Sequence, residues 1–320
     1  MISRTRTYSP PVARILELAA VVLMASVQLL CAQDANPPKE TRYDWSHGQE
    51  LQNGIHFVRI EKTEPRRMVI HAVRVDSSTP GLRLHTTSRR GEWVEGKTET
   101  DRQTTREFLR KSRSQGLNMI LAVNADAFSP WPAPYNQSTP TDLAGLAISD
   151  GVLVSRGSGS PSLMRSKSGK LQIARTTPET DISDIELAVS GFALCLNNGR
   201  PVMGEDILHP RTGLGVSEDN RYLLIVVIDG RQPASLGATT GELGDWLFHF
   251  GAYRGINMDG GGSTSLAWWD ATSEDADKCR LLNRPVGNGI KAEQLPELLF
   301  VSTERHNGNN LGVSLEGQQK

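Results

Sequence analysis

Cysteine is scarce in this 320-residue chain: there are three, and once Cys31 is set aside in the N-terminal apolar segment, Cys195 and Cys279 remain. That excludes a disulfide-dense scaffold. Two distant cysteines with no accompanying histidine cluster do not make a zinc site either. No long run of one charge sign occurs, and 35 Lys+Arg stand against 36 Asp+Glu for a formal net charge of −1. A nucleic-acid partner would need a clustered basic face, and none is visible. Low-complexity stretches, internal repeats and Pro- or Ser-rich linkers are also missing. What is present is an ordinary folding composition, 38% apolar, over a length that suits one large domain or two smaller ones.

The N-terminus stands apart from that fold. Arg4, Arg6 and Arg14 precede an apolar stretch from Leu18 to Ala32, and the polar Gln33-Asp34-Ala35-Asn36-Pro37-Pro38 follows. These are the three regions of a secretory signal, with cleavage expected near Ala32. The stretch falls short of the roughly 20 apolar residues of a membrane helix, so no stable span is expected after cleavage. A lipoprotein site at Cys31 is disfavoured by the large Leu30 before it. Secretion or a periplasmic location follows, where a Cys195–Cys279 disulfide could form, although the apolar surroundings of Cys195 favour a buried free thiol.

Further along, Arg67 to Val75 alternates and is β-branched, and Leu82 to Thr87 follows a Pro80-Gly81 turn, which reads as a hairpin. Thr100 to Arg113 is helix-compatible and leads into a buried strand, Asn118 to Val123. Ala147 to Val154 and Ala193 to Val202 each centre an Asp-Gly or Asn-Gly turn between apolar runs, the strongest short hairpin signal. Leu223 to Ile228 is a continuous apolar strand. Leu243, Trp246, Leu247 and Phe250 then fall at helical spacing before Gly251, and a strand from Gly255 to Met258 follows. The expected fold class is α+β: one domain with a mixed, largely antiparallel β-sheet core and flanking helices. Its expected limits are 67–303, after a signal at 1–32 and an extension at 33–66, and before a flexible tail at 304–320.

Three polar constellations lie where strands end. In Asp259-Gly260-Gly261-Gly262-Ser263-Thr264 a carboxylate precedes three glycines and a hydroxyl run; bare amides could converge on an anion, whereas a tight structural turn is the plainer reading. Asp229-Gly230-Arg231 again places a carboxylate at a strand exit, now with a guanidinium suited to phosphate, although Asp-Gly alone is an ordinary turn. His209-Pro210-Arg211 would bring a second arginine to the same region; a lone histidine there is more often structural. Asn124-Ala125-Asp126 leads into a Pro-stiffened loop with Trp131, which reads equally as a sugar platform or a packed loop.

Taken in order, these segments resemble the phosphodiester glycosidase family, and Asn283-Arg284-Pro285-Val286-Gly287-Asn288 is similar to its closing Arg-Pro-Val loop. The resemblance spans Val69 to Ser302 and departs from the family at Asp126, an extra carboxylate. It implies hydrolysis of the bond between a sugar anomeric carbon and the phosphate of a phosphodiester, N-acetylglucosamine in the animal enzyme. On that reading Asp259 and Asp229 are the catalytic carboxylates. Arg211, Arg231, Gly260, Gly261, Gly262 and Ser263 hold the phosphate, and Asn124, Asp126, Trp131, Thr264, Arg284 and Asn288 contact the substrate. No cofactor is required, although Asp126, Asp229 and Asp259 could instead hold Ca²⁺ or Mg²⁺. The expected partner is a sugar-phosphate glycan or glycoconjugate. A metal-dependent phosphodiesterase and a non-catalytic phosphoglycan-binding protein are the alternatives.

Overall fold

The computed structural model describes residues 42–130, 139–287 and 303–317. Its framework is an eight-stranded sheet in the order 49–52, 55–62, 68–76, 222–228, 211–216, 254–257, 193–197 and 200–201. A five-stranded sheet runs 279–281, 266–269, 119–124, 310–315 and 82–86, and a second five-stranded sheet is built from 152–155, 147–149, 185–190, 161–166 and 171–175. Every strand pairing among the described residues is antiparallel. Only two α-helices are described, α1 (Thr105–Ser114) and α2 (Thr240–His249), so the fold is more β-rich than the balanced α+β class expected.

The layering follows from the period-2 alternation of strand side chains. Ile225 and Val227 of Tyr222–Ile228 join Val73, Val75, Leu214 and Ile256 in a core shared with Leu121, Val123, Leu266, Leu311 and Val313 of the second sheet. Leu224, Val226 and Ile228 point the other way, onto Leu243 and Leu247 of α2 and onto Trp45 and Phe250. The continuous apolar run Leu223 to Ile228 is therefore what burial on both faces demands. On the far side of the second sheet, Phe108 and Leu109 of α1 cover Met119, Ala122 and Ala267. Both helices start at threonine capping boxes, Thr104 with Glu107 and Thr239 with Glu242. Helix α2 ends where Gly251 takes the left-handed conformation (φ 110°).

Three expectations fail, each for a non-local reason. The strands Met68–Asp76 and Leu82–Thr86 do not form a hairpin. Met68–Asp76 pairs with 55–62 and 222–228, while the turn through Gly81 carries the chain into the other sheet, where Leu82–Thr86 pairs with Asn310–Leu315. The expected tail at 304–320 contains the strand Asn310–Leu315, fully buried between two neighbours. The extension 33–66 contains Gln49–Gln52 and Ile55–Lys62, which extend the eight-stranded sheet, so the folded unit begins well before residue 67. The expected signal segment lies outside the described residues. No helix among the described residues is long and apolar enough to cross a membrane. Cys195 and Cys279 are both buried, both free, and sit in different core clusters.

A chain truncated after residue 303 loses the strand 310–315 from the interior of its sheet. Far-UV circular dichroism with thermal melting should show no cooperative transition; a two-state melt from the truncated chain would contradict the placement of this strand.

Candidate active site

Strand ends of the eight-stranded sheet and the loops beside them line a cavity of about 990 Å³. Asn257 ends the strand Arg254–Asn257, Asp259 follows two residues beyond it, and both line the cavity. Arg211, at the start of Arg211–Val216, lines it with His209, Arg231, Arg305 and the three glycines 260–262.

Three carboxylates line the cavity, Asp142, Glu205 and Asp259; Glu205 is engaged by Arg211, and Asp259 stands beside the three glycines. Burial raises the Asp259 carboxyl to about 6, against the opposing pull of a Ser263 hydrogen bond, the Arg305 charge and the Gly260 amide. The Gly260 N–H donates to its Oδ1 at 3.0 Å. Ser263 is buried off the cavity wall and accepts from Arg305 Nη1 (3.3 Å), so it links the guanidinium to Asp259 instead of facing an anion.

Two of the three triglycine amides expected to face an anion donate within the protein. Gly260 N–H is taken by Asp259, and Gly261 N–H donates to the Pro210 carbonyl at 2.9 Å. What the glycines supply is room. A Cβ on Gly261, whose φ is +62°, would stand 3.2 Å from Arg231 Nη1, and one on Gly262 would stand 1.9 Å from the Gly287 carbonyl and 2.3 Å from Arg305 Nη2. Two guanidiniums thus pack against the backbone that carries Asp259.

The cationic wall is braced by its neighbours. Arg211 donates through Nε to the Ala238 carbonyl (2.9 Å) and through Nη2 to the Ile207 carbonyl (2.8 Å) and Glu205 (3.1 Å). Arg231 has left-handed backbone (φ 56°), strain for a residue with a side chain, and its Nη2 donates to His209 Nδ1 at 2.8 Å. That bond leaves the imidazole proton on Nε2. Burial, with Arg231 and Arg211 nearby, pushes the His209 pKa down, so the ring stays neutral near pH 7.

Several expected site residues turn out to be braces. Asp229 does not line the cavity: its Oδ1 accepts from Arg284 N–H (3.0 Å) and Asn283 Nδ2 (3.1 Å), and its Oδ2 lies 3.1 Å from His71 Nε2. Asn124 is fully buried, accepting from Thr212 Oγ1 and Ser265 N–H and donating to the Asp259 carbonyl at 2.7 Å. Asp126 accepts from Ser190 N–H and Asn309 Nδ2, and burial pushes its carboxyl well above the usual range. Thr264 is buried and Arg284 exposed, and neither lines the cavity. Asp126 and Asp229 thus spend their oxygens on the protein, and among the described residues no group of three His, Cys, Asp or Glu side chains is placed to hold a metal ion. Trp131 and Asn288 lie outside the described residues.

Sequence reasoning missed Arg305, Asn257 and Phe192, all of which line the cavity. A signal for Arg305 existed: Leu311, Val313 and Leu315 alternate just after it, marking a strand whose entrance it occupies.

A family model described as phosphodiester glycosidase matches residues 118–293, more than half of the chain. The chain belongs to the phosphodiester glycosidase family. Among solved structures, it resembles the zebrafish N-acetylglucosamine-1-phosphodiester alpha-N-acetylglucosaminidase catalytic domain, auto-inhibited by its pro-peptide, at 16% identity and a TM-score of 0.59, covering 81% of this chain and 82% of that one. A hypothetical protein from Synechocystis matches at 14% identity and a TM-score of 0.50, covering 83% of this chain and 63% of that one. At such identities the likeness shows the fold. No curated protein sequence matches this chain.

Because Asp229 holds the 283–284 segment from within the core, Asp229→Ala leaves Asn283, His71 and the Arg284 amide without their acceptor. A stability loss of roughly 2–4 kcal/mol is expected in chemical denaturation. An unchanged unfolding midpoint with lost turnover would instead place Asp229 in the chemistry.

Proposed function

We propose that this family member hydrolyses the bond between a sugar anomeric carbon and the phosphate of a phosphodiester. The observation that carries the reading is one carboxyl, Asp259, raised to about 6 and framed by Arg305, Arg231 and Arg211 in a single cavity. A sugar leaving phosphate passes through an oxocarbenium-like centre, and a carboxylate beside that carbon stabilises it as nucleophile or as base for water. The C–O electron pair departs with the phosphate. A phosphate monoester is a good leaving group that needs charge stabilisation more than protonation, and fixed guanidiniums with the His209 Nε2–H supply it without reorganising.

The arginine-flanked apolar segment at 18–32 supports export, and the substrate class is then an envelope or extracellular glycan bearing sugar phosphates. Catalysis is proposed to proceed without a resident metal, because Asp126 and Asp229 are committed to backbone and side-chain donors. The alternative of a metal-dependent phosphodiesterase requires activity that disappears with chelator. A non-catalytic phosphoglycan binder requires the parent to bind without turnover.

The ionised form of Asp259 is the working form, and its pKa is raised. Activity should therefore be low below pH 5 and rise through about 6 to a plateau. A pH profile of kcat/KM on an N-acetylglucosamine phosphodiester measures this directly; a flat profile from pH 5 to 7 contradicts it. Asp259→Asn should lower kcat/KM by about a thousandfold or more. The same substitution removes a carboxylate whose burial opposes its charge, so the neutral-pH melting temperature should hold or rise. Chelator should leave turnover of the parent intact.

A further inference from the structure

The cavity has a wall that phosphate chemistry does not use. Phe192 is 58% exposed where it lines the cavity, among the most exposed large apolar residues described. Asn257 lines it too, is only 6% exposed, and its Oδ1 is buried with no hydrogen-bond partner among the described residues. A buried acceptor left unpaired is rare and signals a missing donor. The two residues are held together by the fold: Ala193 pairs with Asn257 across the strands, and Phe192 N–H donates to the Asn257 carbonyl at 2.9 Å. Gly191 permits this approach, since a Cβ there would stand 2.5 Å from that carbonyl.

We propose that Phe192 and Asn257 form the sugar-ring subsite, taking a pyranose with a hydroxyl or amide N–H directed at Asn257 Oδ1. This deepens the hydrolytic reading and rests on it for the identity of the reacting bond. A pyranose presents one apolar face of C–H groups and a rim of hydrogen-bond donors; an open aromatic ring beside an unpaired acceptor matches both. Asn257 and Asp259 line the same cavity two residues apart in the chain, so a ring held at Asn257 reaches toward the carboxylate, while the phosphate extends toward Arg211 and Arg231 on the same cavity wall. The role assigned from sequence to Asn124 and Asp126 thus passes to Phe192 and Asn257.

The test uses the full chain with two probes: free N-acetylglucosamine, followed by NMR titration, and N-acetylglucosamine 1-(methyl phosphate), followed by product release. Phe192→Ala should raise Kd for the sugar and KM for the diester by about tenfold, with kcat within about threefold. Phe192→Trp should restore both constants. Asn257→Ala should weaken the free sugar by a similar factor, while inhibition by inorganic phosphate stays at the parent value in every variant. Sugar binding that is lost in Phe192→Ala, with no diester split by the parent, keeps the subsite and overturns the hydrolytic function. Parent turnover with Phe192→Ala and Asn257→Ala kinetically unchanged overturns the subsite and keeps the function. Failure of the parent to bind free sugar at any accessible concentration also overturns the subsite.

Discussion

The close approach of guanidinium groups to the backbone around Asp259 is the constraint on which the site depends. At Gly262 the space for a side chain is already filled by the Gly287 carbonyl and the Arg305 guanidinium, and at Gly261 the backbone is left-handed (φ +62°) with Arg231 3.2 Å from where a Cβ would stand. Glycine costs conformational entropy in the unfolded chain, and three in a row are retained where nothing larger fits. The result is a carboxyl buried enough to titrate near neutrality yet flanked by cations that draw its negative form back. One carboxylate can then serve a cationic sugar centre while the arginines receive the phosphate.

Around that point the protein invests in buried polar bracing. Asn124 joins three segments: its own strand, Thr212 of the eight-stranded sheet, and the Asp259–Ser265 turn. Asp126 joins Ser190 and Asn309 on either side of the core. Asp229 anchors the Asn283-Arg284 segment. Each group has its oxygens satisfied by fixed donors, which is the condition under which buried polar groups specify a single geometry. A site that must present charge in place cannot rely on apolar packing alone, because apolar contacts do not fix direction.

Local features of this arrangement were legible in the sequence. The hairpins at Ala147 to Val154 and Ala193 to Val202, the doubly buried Leu223 to Ile228 and both helices follow from turn chemistry and periodicity. Non-local choices were not: nothing near Leu82 reveals that its partner is Leu315, more than 200 residues away. The triglycine shows why a location can be read while its packing cannot. The sequence displays missing side chains, whereas the atoms that fill the space, Arg305 and the Gly287 carbonyl, come from distant segments. Likewise Asp229 and Asp259 look equivalent as carboxylates at strand exits, and only packing separates the brace from the cavity carboxylate.

The central claim is that Asp259 and its arginines act on the anomeric carbon and not on phosphorus. Hydrolysis of a sugar phosphodiester in ¹⁸O-water reads this directly from the products. Label in the released sugar is the predicted result, since water attacks carbon and phosphate departs with its bridging oxygen. Label in the phosphate product would mean cleavage of the P–O bond and would contradict the account.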